Sequence, residues 1–301
     1  MTTSLTGNSD VPLETLRLAR RQRALGSIFG EHFVQTFASP FLVIEDHVIE
    51  SPVAIRFYKK DFSYLSKQLY LEYQYRSWKG YDAELLAHYS ELVTNKLAKI
   101  RTLIGNTAQR LQLLLDQQGH QADLTLWPGS HRCDVPIIAA HARSYLDMLR
   151  LLDRVYLLAG TANLLGVIDS SQRAQAEYLC KKAVRAFRSI LQTEVAKLYR
   201  EAQRVVQEQH AGGQADPGMT ELVRAQGREI AAFAASADDD ETEVADVSSR
   251  GPSEDPLPPP TRIQTALPSP ALGRLPTQTD GTLAPRAVQE AGPGNVALAS
   301  Q

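Results

Sequence analysis

Residues 137–165, IIAAHARSYLDMLRLLDRVYLLAGTANLL, then Gly166-Val167-Ile168-Asp169, then residues 170–209, SSQRAQAEYLCKKAVRAFRSILQTEVAKLYREAQRVVQEQ, decide the fold of this chain. Ile138, Tyr145, Leu149, Leu152, Tyr156 and Ala159 recur at helical spacing, which sets them on one face of a 3.6-residue helix. Asp147, Arg150, Asp153 and Arg154 fall mostly on the other side. In the second part Cys180, Ala183, Phe187, Ile190, Leu191, Val195, Leu198, Ala202 and Val205 make a matching stripe. Gly166 can end the first helix by turning left-handed at low steric cost. Asp169 can cap the second, with Gln172 at the capping-box position. So short a connection makes the two helices antiparallel neighbours. Residues 138–208 are therefore expected to form a helical hairpin.

Upstream, DLTLW, the turn Pro128-Gly129-Ser130 and RCDVPII predict a β-hairpin over 123–138. Before it, Tyr81 to about Gln118 predicts a long amphipathic helix with Leu85, Tyr89 or Leu92, Leu97, Ile100, Leu103 or Ile104, Leu111 and Leu114 inward. FSYLSKQLYLEYQYRSW predicts another helix, capped by Asp61 or Ser63. Between Phe33 and Lys60 the texture is β-branched and aromatic, and FVQTF, FLVIED, HVIES and VAIRFYKK predict two or three strands. In VAIRFYKK, Val53, Ile55 and Phe57 alternate with Arg56, Tyr58 and Lys60. A basic-faced strand followed by two helices has the layout of a ribbon-helix-helix DNA reader. It is equally the layout of an ordinary strand with a solvated outer face.

The expected class is α+β: a small antiparallel sheet with long amphipathic helices, including the C-terminal helical hairpin. Residues 1–30 read as a mobile basic segment, 31–210 as the core domain (ribbon and helices over 53–118), and 211–301 as a disordered acidic, Pro-rich tail. Eleven of the 16 prolines lie beyond residue 210, where Phe233 is the sole aromatic residue. Such a segment buries too little apolar surface to offset its ordering entropy. Within it MTELVRAQGREIAAFAAS could form a transient helix, and Asp238-Asp239-Asp240-Glu241 is an acidic run.

The net charge of −2 conceals a division. Residues 1–210 hold 26 Lys+Arg against 21 Asp+Glu, and the tail holds 6 against 13. A mildly basic body tolerates an anionic partner, and an acidic tail either solubilises it or competes with nucleic acid for it. Two cysteines, Cys133 and Cys180, are too few for a disulfide framework and fit a reducing cytoplasm. MTTSLTGNSD lacks the pattern of a signal peptide, and no apolar run approaches a membrane span.

No catalytic constellation stands out. The seven histidines form no H-E-x-x-H pair, and neither a phosphate-binding loop nor a nucleophile elbow is present. His131 and Cys133 share a strand face without a third group to orient them. Glu45-Asp46 with Asp134 could hold a hard cation, but adjacent acids on a regular strand point to opposite faces. The expectation is no enzyme, no metal and no cofactor. One cluster remains: Lys181, Lys182, Arg185 and Arg188, opposite the apolar stripe. It is either the wet face of an amphipathic helix or a phosphate-binding stripe.

Leu151-Leu152-Asp153, the Gly166-Val167-Ile168-Asp169 turn and the run from Ser170 through Tyr178 resemble the C-terminal signature of a family of integrating conjugative element proteins. That family is related to AcaB-like transcriptional regulators of conjugative plasmids. The resemblance spans roughly 40–205 and leaves the tail outside. It implies a bacterial, cytoplasmic, mobile-element protein: a dimeric DNA-binding regulator of transfer genes of ribbon-helix-helix type, reading DNA with Arg56, Tyr58 and Lys60. Lys181, Lys182, Arg185 and Arg188 would then hold phosphates. The other expectation is a non-catalytic interaction or scaffold protein of the conjugation apparatus, bound to an element-encoded partner.

Overall fold

A computed structural model describes residues 13–120, 127–213 and 216–235. All of them fall within the first of two units, Met1–Thr261; the second, Arg262–Gln301, lies outside the described residues. The order of elements is α1 (Leu13–Phe29), α2 (Glu31–Thr36), β1 (Leu42–Ile49), α3 (Pro52–Phe57), a π-helical turn (Tyr58–Phe62), α4 (Ser63–Tyr75), α5 (Ala83–Gln117), β2 (His131–Ile137), α6 (Ala140–Leu164), α7 (Ser170–Ala211) and α8 (Pro217–Ala235). The described part is mostly helical, with one small antiparallel sheet of two strands.

Local signals explain where the long helices start and stop. The Asp82 carboxylate accepts from the Glu84 and Leu85 amides and caps α5. Gly119, at φ 73°, ends it, with the His120 amide donating back to the Leu115 carbonyl. Gly166 turns at φ 72° after α6. Asp169 opens α7 with a complete capping box: its carboxylate accepts from the Gln172 amide at 2.7 Å, and its own amide donates to Gln172 Oε1 at 3.1 Å.

The core lies among these helices. Leu86, Tyr89, Val93, Leu97, Ile104, Leu111 and Leu115 from α5 meet Tyr145, Leu149, Leu152, Tyr156 and Ala159 from α6. Cys180, Phe187, Leu191, Val195, Leu198 and Val205 from α7 complete it. Of the two alternatives Leu103 and Ile104, Ile104 is the buried one. Two positions differ from expectation: Val184 replaces Ala183, and Asp153 is buried with its helix's apolar residues.

Four sequence expectations are corrected. FVQTF lies largely in α2, and the β-branched region forms the single strand β1. That strand pairs antiparallel with β2, from Leu42 opposite Ile137 to Ile49 opposite His131. RCDVPII is thus a strand whose partner is β1; of the expected β-hairpin's first arm, 123–127, residues 123–126 lie outside the described residues. Second, Val53–Lys60 is not a strand. Ser51 caps a helix there, its hydroxyl accepting from the Ala54 amide, and Pro52 sits in the first turn, where its missing amide costs nothing. Ala54, Phe57, Tyr58, Asp61, Phe62 and Leu65 are all buried, a three-and-four spacing that overrides the strand propensity of the same residues.

Third, the tail does not begin at 211. The helix α8 packs on the core through Val223, Gln226 and Phe233. Tyr75 donates to the Gln226 side-chain carbonyl, Lys67 pairs with Glu229 at 2.6 Å, and Phe233 stacks on Tyr64 with ring centroids 3.6 Å apart. Residues 236–301 lie outside the described part. Fourth, within the segment read as mobile, 13–29 is a helix that buries Leu25 and Phe29 and packs on β2.

Candidate functional site: a basic cavity

The first half of the site is the helical segment 52–62, where α3 passes into the π-helical turn. The wider turn advances the chain by an extra residue, so that Tyr58, Asp61 and Phe62 all turn inward. Arg56 and Lys60, four apart, are left along one side. The second half is the middle of α7, where Lys181 and Arg185 are also four apart. The two halves border a single cavity of about 240 Å³, lined by Pro52, Val53, Arg56, Phe57, Lys60, Asp61, Lys181 and Arg185.

Its lining therefore carries four cationic side chains and one carboxylate. That carboxylate, Asp61, is 1% exposed and lies 3.2 Å from Nη1 of Arg188, itself buried. The Arg188 guanidinium is also held over the Phe233 ring of α8, 4.3 Å from its centroid. An inner ion pair thus braces the cavity wall from behind, and four longer cations line the cavity itself. The arrangement suits recognition of an anion by charge and hydrogen bonding.

The candidate residues separate accordingly. Arg56, Lys60, Lys181 and Arg185 come together, although the sequence placed them in two unrelated groups. Tyr58 does not face outward: it is buried, stacks on Phe62 and neighbours His131, and burial raises its pKa. Arg188 is corrected from the outer face to the interior. Lys182 is exposed and lies over Tyr178 on α7 rather than lining the cavity. Sequence reasoning took Asp61 only as a cap and set Asp153 on the outer side of its helix, where the structure buries it. The Asp153 carboxylate accepts from the Ser51 amide at 2.6 Å and the Glu50 amide at 3.2 Å, fixing the end of β1 against the start of α3. The signal present was the Ser51-Pro52 start motif.

Glu45, Asp46 and Asp134 do converge, because the ladder is irregular between Ile44 and His47 and Asp46 adopts φ 53°. Arg20 of α1 occupies the acids' centre. Its Nε and Nη2 donate to the two Asp134 oxygens, each at 2.6 Å, and it pairs with Glu45 at 3.1 Å and Asp46 at 3.2 Å. The Arg20 hydrogen bonds hold the Asp134 carboxyl below its ordinary pKa. Burial raises the neighbouring Cys133 thiol and pushes Cys180 up to about 11. Among the described residues no group of three or more His, Cys, Asp or Glu is placed to hold a metal ion, and no helix is long and apolar enough to cross a membrane.

No protein-family model matches the chain. No curated protein matches it either. The chain is similar to a crystal structure of AcaB from uropathogenic E. coli, at 16% sequence identity over 65% of this chain and 98% of that one, with a TM-score of 0.48.

Proposed function

We propose that this protein is a non-enzymatic, DNA-binding regulator of transfer genes, carried by an integrating conjugative element and acting in the cytoplasm. The supporting observation is that Arg56 and Lys60 share one cavity with Lys181 and Arg185, more than a hundred residues away in sequence. The sequence resemblance supplies the mobile-element context. Because 53–60 is helical, the cations engage phosphates and position the duplex instead of reading base edges as a ribbon. The α6–α7 pair serves as an antiparallel hairpin scaffold that holds one side of the cavity. The homodimer expected from ribbon pairing loses that support and stands as a separate question for sedimentation.

A salt titration of duplex DNA binding tests the reading. Each phosphate neutralised contributes about 0.9 to the slope of log affinity against log salt. Replacing Arg56, Lys60, Lys181 and Arg185 with Ala should flatten that slope by up to about 3.6 and cost on the order of a hundredfold in affinity at low salt. An unchanged slope would show that the cavity makes no phosphate contact. A second reading, a scaffold protein of the conjugation apparatus, is favoured by Leu164, Leu165, Tyr178 and Leu179, which are exposed at the turn and in the opening turns of α7. It predicts no DNA affinity at moderate salt and co-purification with an element-encoded protein.

A further inference from the structure

We infer that the acidic run Asp238-Asp239-Asp240-Glu241 docks in the basic cavity as an intramolecular occupant that DNA must displace. The inference rests on the phosphate-binding reading of that cavity only for its consequence, not for the docking itself. Phe233 fixes the last turns of α8 between Tyr64 and Arg188, and Arg188 is paired with Asp61 in the cavity wall. The chain therefore leaves α8 one side chain away from the cavity. Asp238 follows Ala235 by three residues, an extended span of about 10 Å. On α7, Arg185 and Lys181 lie about 5 and 10 Å along the axis from Arg188 at the helical rise. The run is thus within reach of the lining.

Charge complementarity names the occupant. Four consecutive carboxylates meet a lining with four cationic side chains, and a tether this short sets an effective concentration of millimolar or more. A nucleic-acid phosphate offers the same chemistry in trans, so the two compete for one site. Neutralising the run should therefore raise DNA affinity, by about tenfold if the run binds its cavity with a constant of about 0.1 mM.

Zero-length carbodiimide cross-linking of the full chain tests the docking without DNA. Carboxylates 238–241 should join Lys60 and Lys181 in marked excess over Lys96 and Lys99, which lie on α5 and do not line the cavity. Strong salt, or the variant D238N/D239N/D240N/E241Q, should abolish that excess. Equal cross-linking to the α5 lysines would overturn the inference. Excess cross-linking with a neutralised variant that binds DNA more tightly supports docking and competition together. Excess cross-linking in a protein that binds no DNA, neutralised or not, supports docking and overturns the DNA-binding reading alone. Excess cross-linking with DNA binding that neutralisation leaves unchanged overturns the competition.

Discussion

Asp153 and His47 show how single buried polar groups shape the region behind the site. The Asp153 carboxylate is buried 8% exposed and takes both amides at the β1–α3 junction, so Asp153→Ala leaves two inward amides without their acceptor. Hydrogen bonds to a charged group contribute about 1.5–3 kcal/mol each at most, and a loss of about 2–3 kcal/mol in urea unfolding is expected. Asp153→Asn, which keeps one acceptor, should recover about half. His47 on β1 is buried, with no hydrogen-bond partner for its Nε2 among the described residues. Burial first, then the charge of Arg150, lowers its pKa. Its neutral form is thus favoured by folding. The resulting stability is fully present above the unfolded pKa of about 6.5 and is lost as pH falls below that value towards the folded pKa. Unfolding free energies at pH 7.5 and 5.5 should differ less in His47→Leu than in the parent. An equal difference would assign the acid sensitivity elsewhere, with Asp134 the next group to respond at lower pH because its own pKa is depressed.

At the scale of elements, α8 carries most of the unexpected information. Its sequence is Ala- and Gly-rich, and Gly227 lets it approach α7, since a Cβ there would come within 3.1 Å of the Tyr199 ring. The anchor is Phe233, buried between Tyr64 and the Arg188 guanidinium. Phe233→Ala removes a buried aromatic ring, typically about 3 kcal/mol, and most of that falls on the docking of α8. Amide exchange over 217–235 should accelerate by about two orders of magnitude while α5, α6 and α7 keep their protection. Uniform acceleration across the chain would mean that α8 folds with the core as one unit. The 52–62 segment teaches a related lesson. Its capping residues and its three-and-four buried spacing both announced a helix, but its Val, Ile, Phe and Tyr content suggested a strand. Propensity is the weaker signal wherever a whole face is buried.

For the whole molecule, Arg20 ties the N-terminal helix to the sheet. Its fork to Asp134 and its pairs with Glu45 and Asp46 bridge α1, β1 and β2. Arg20→Met should release α1, seen as protease cleavage within 13–29 at enzyme concentrations that leave the parent intact. Cleavage unchanged from the parent would show that Leu25 and Phe29 suffice to hold it. The three acids left without their cation should then repel one another, so added salt, which screens that repulsion, should reduce the cleavage.

Much was legible before any coordinates. The α5, α6 and α7 helices, the Gly166 turn, the Asp169–Gln172 box and the strand at 131–137 all follow from spacing and capping chemistry, which act within a few residues. So did the presence of two basic groups and an acidic run. Tertiary structure decided what those local signals cannot carry: that β2 pairs with β1, that Tyr58 and Arg188 turn inward, and that an acidic triad is filled by Arg20. It also decided that 217–235 folds onto the body. Above all it brought Arg56 and Lys60 to Lys181 and Arg185, because the approach of two helix faces is fixed by the buried side chains between them and leaves no periodic trace in the residues at the rim.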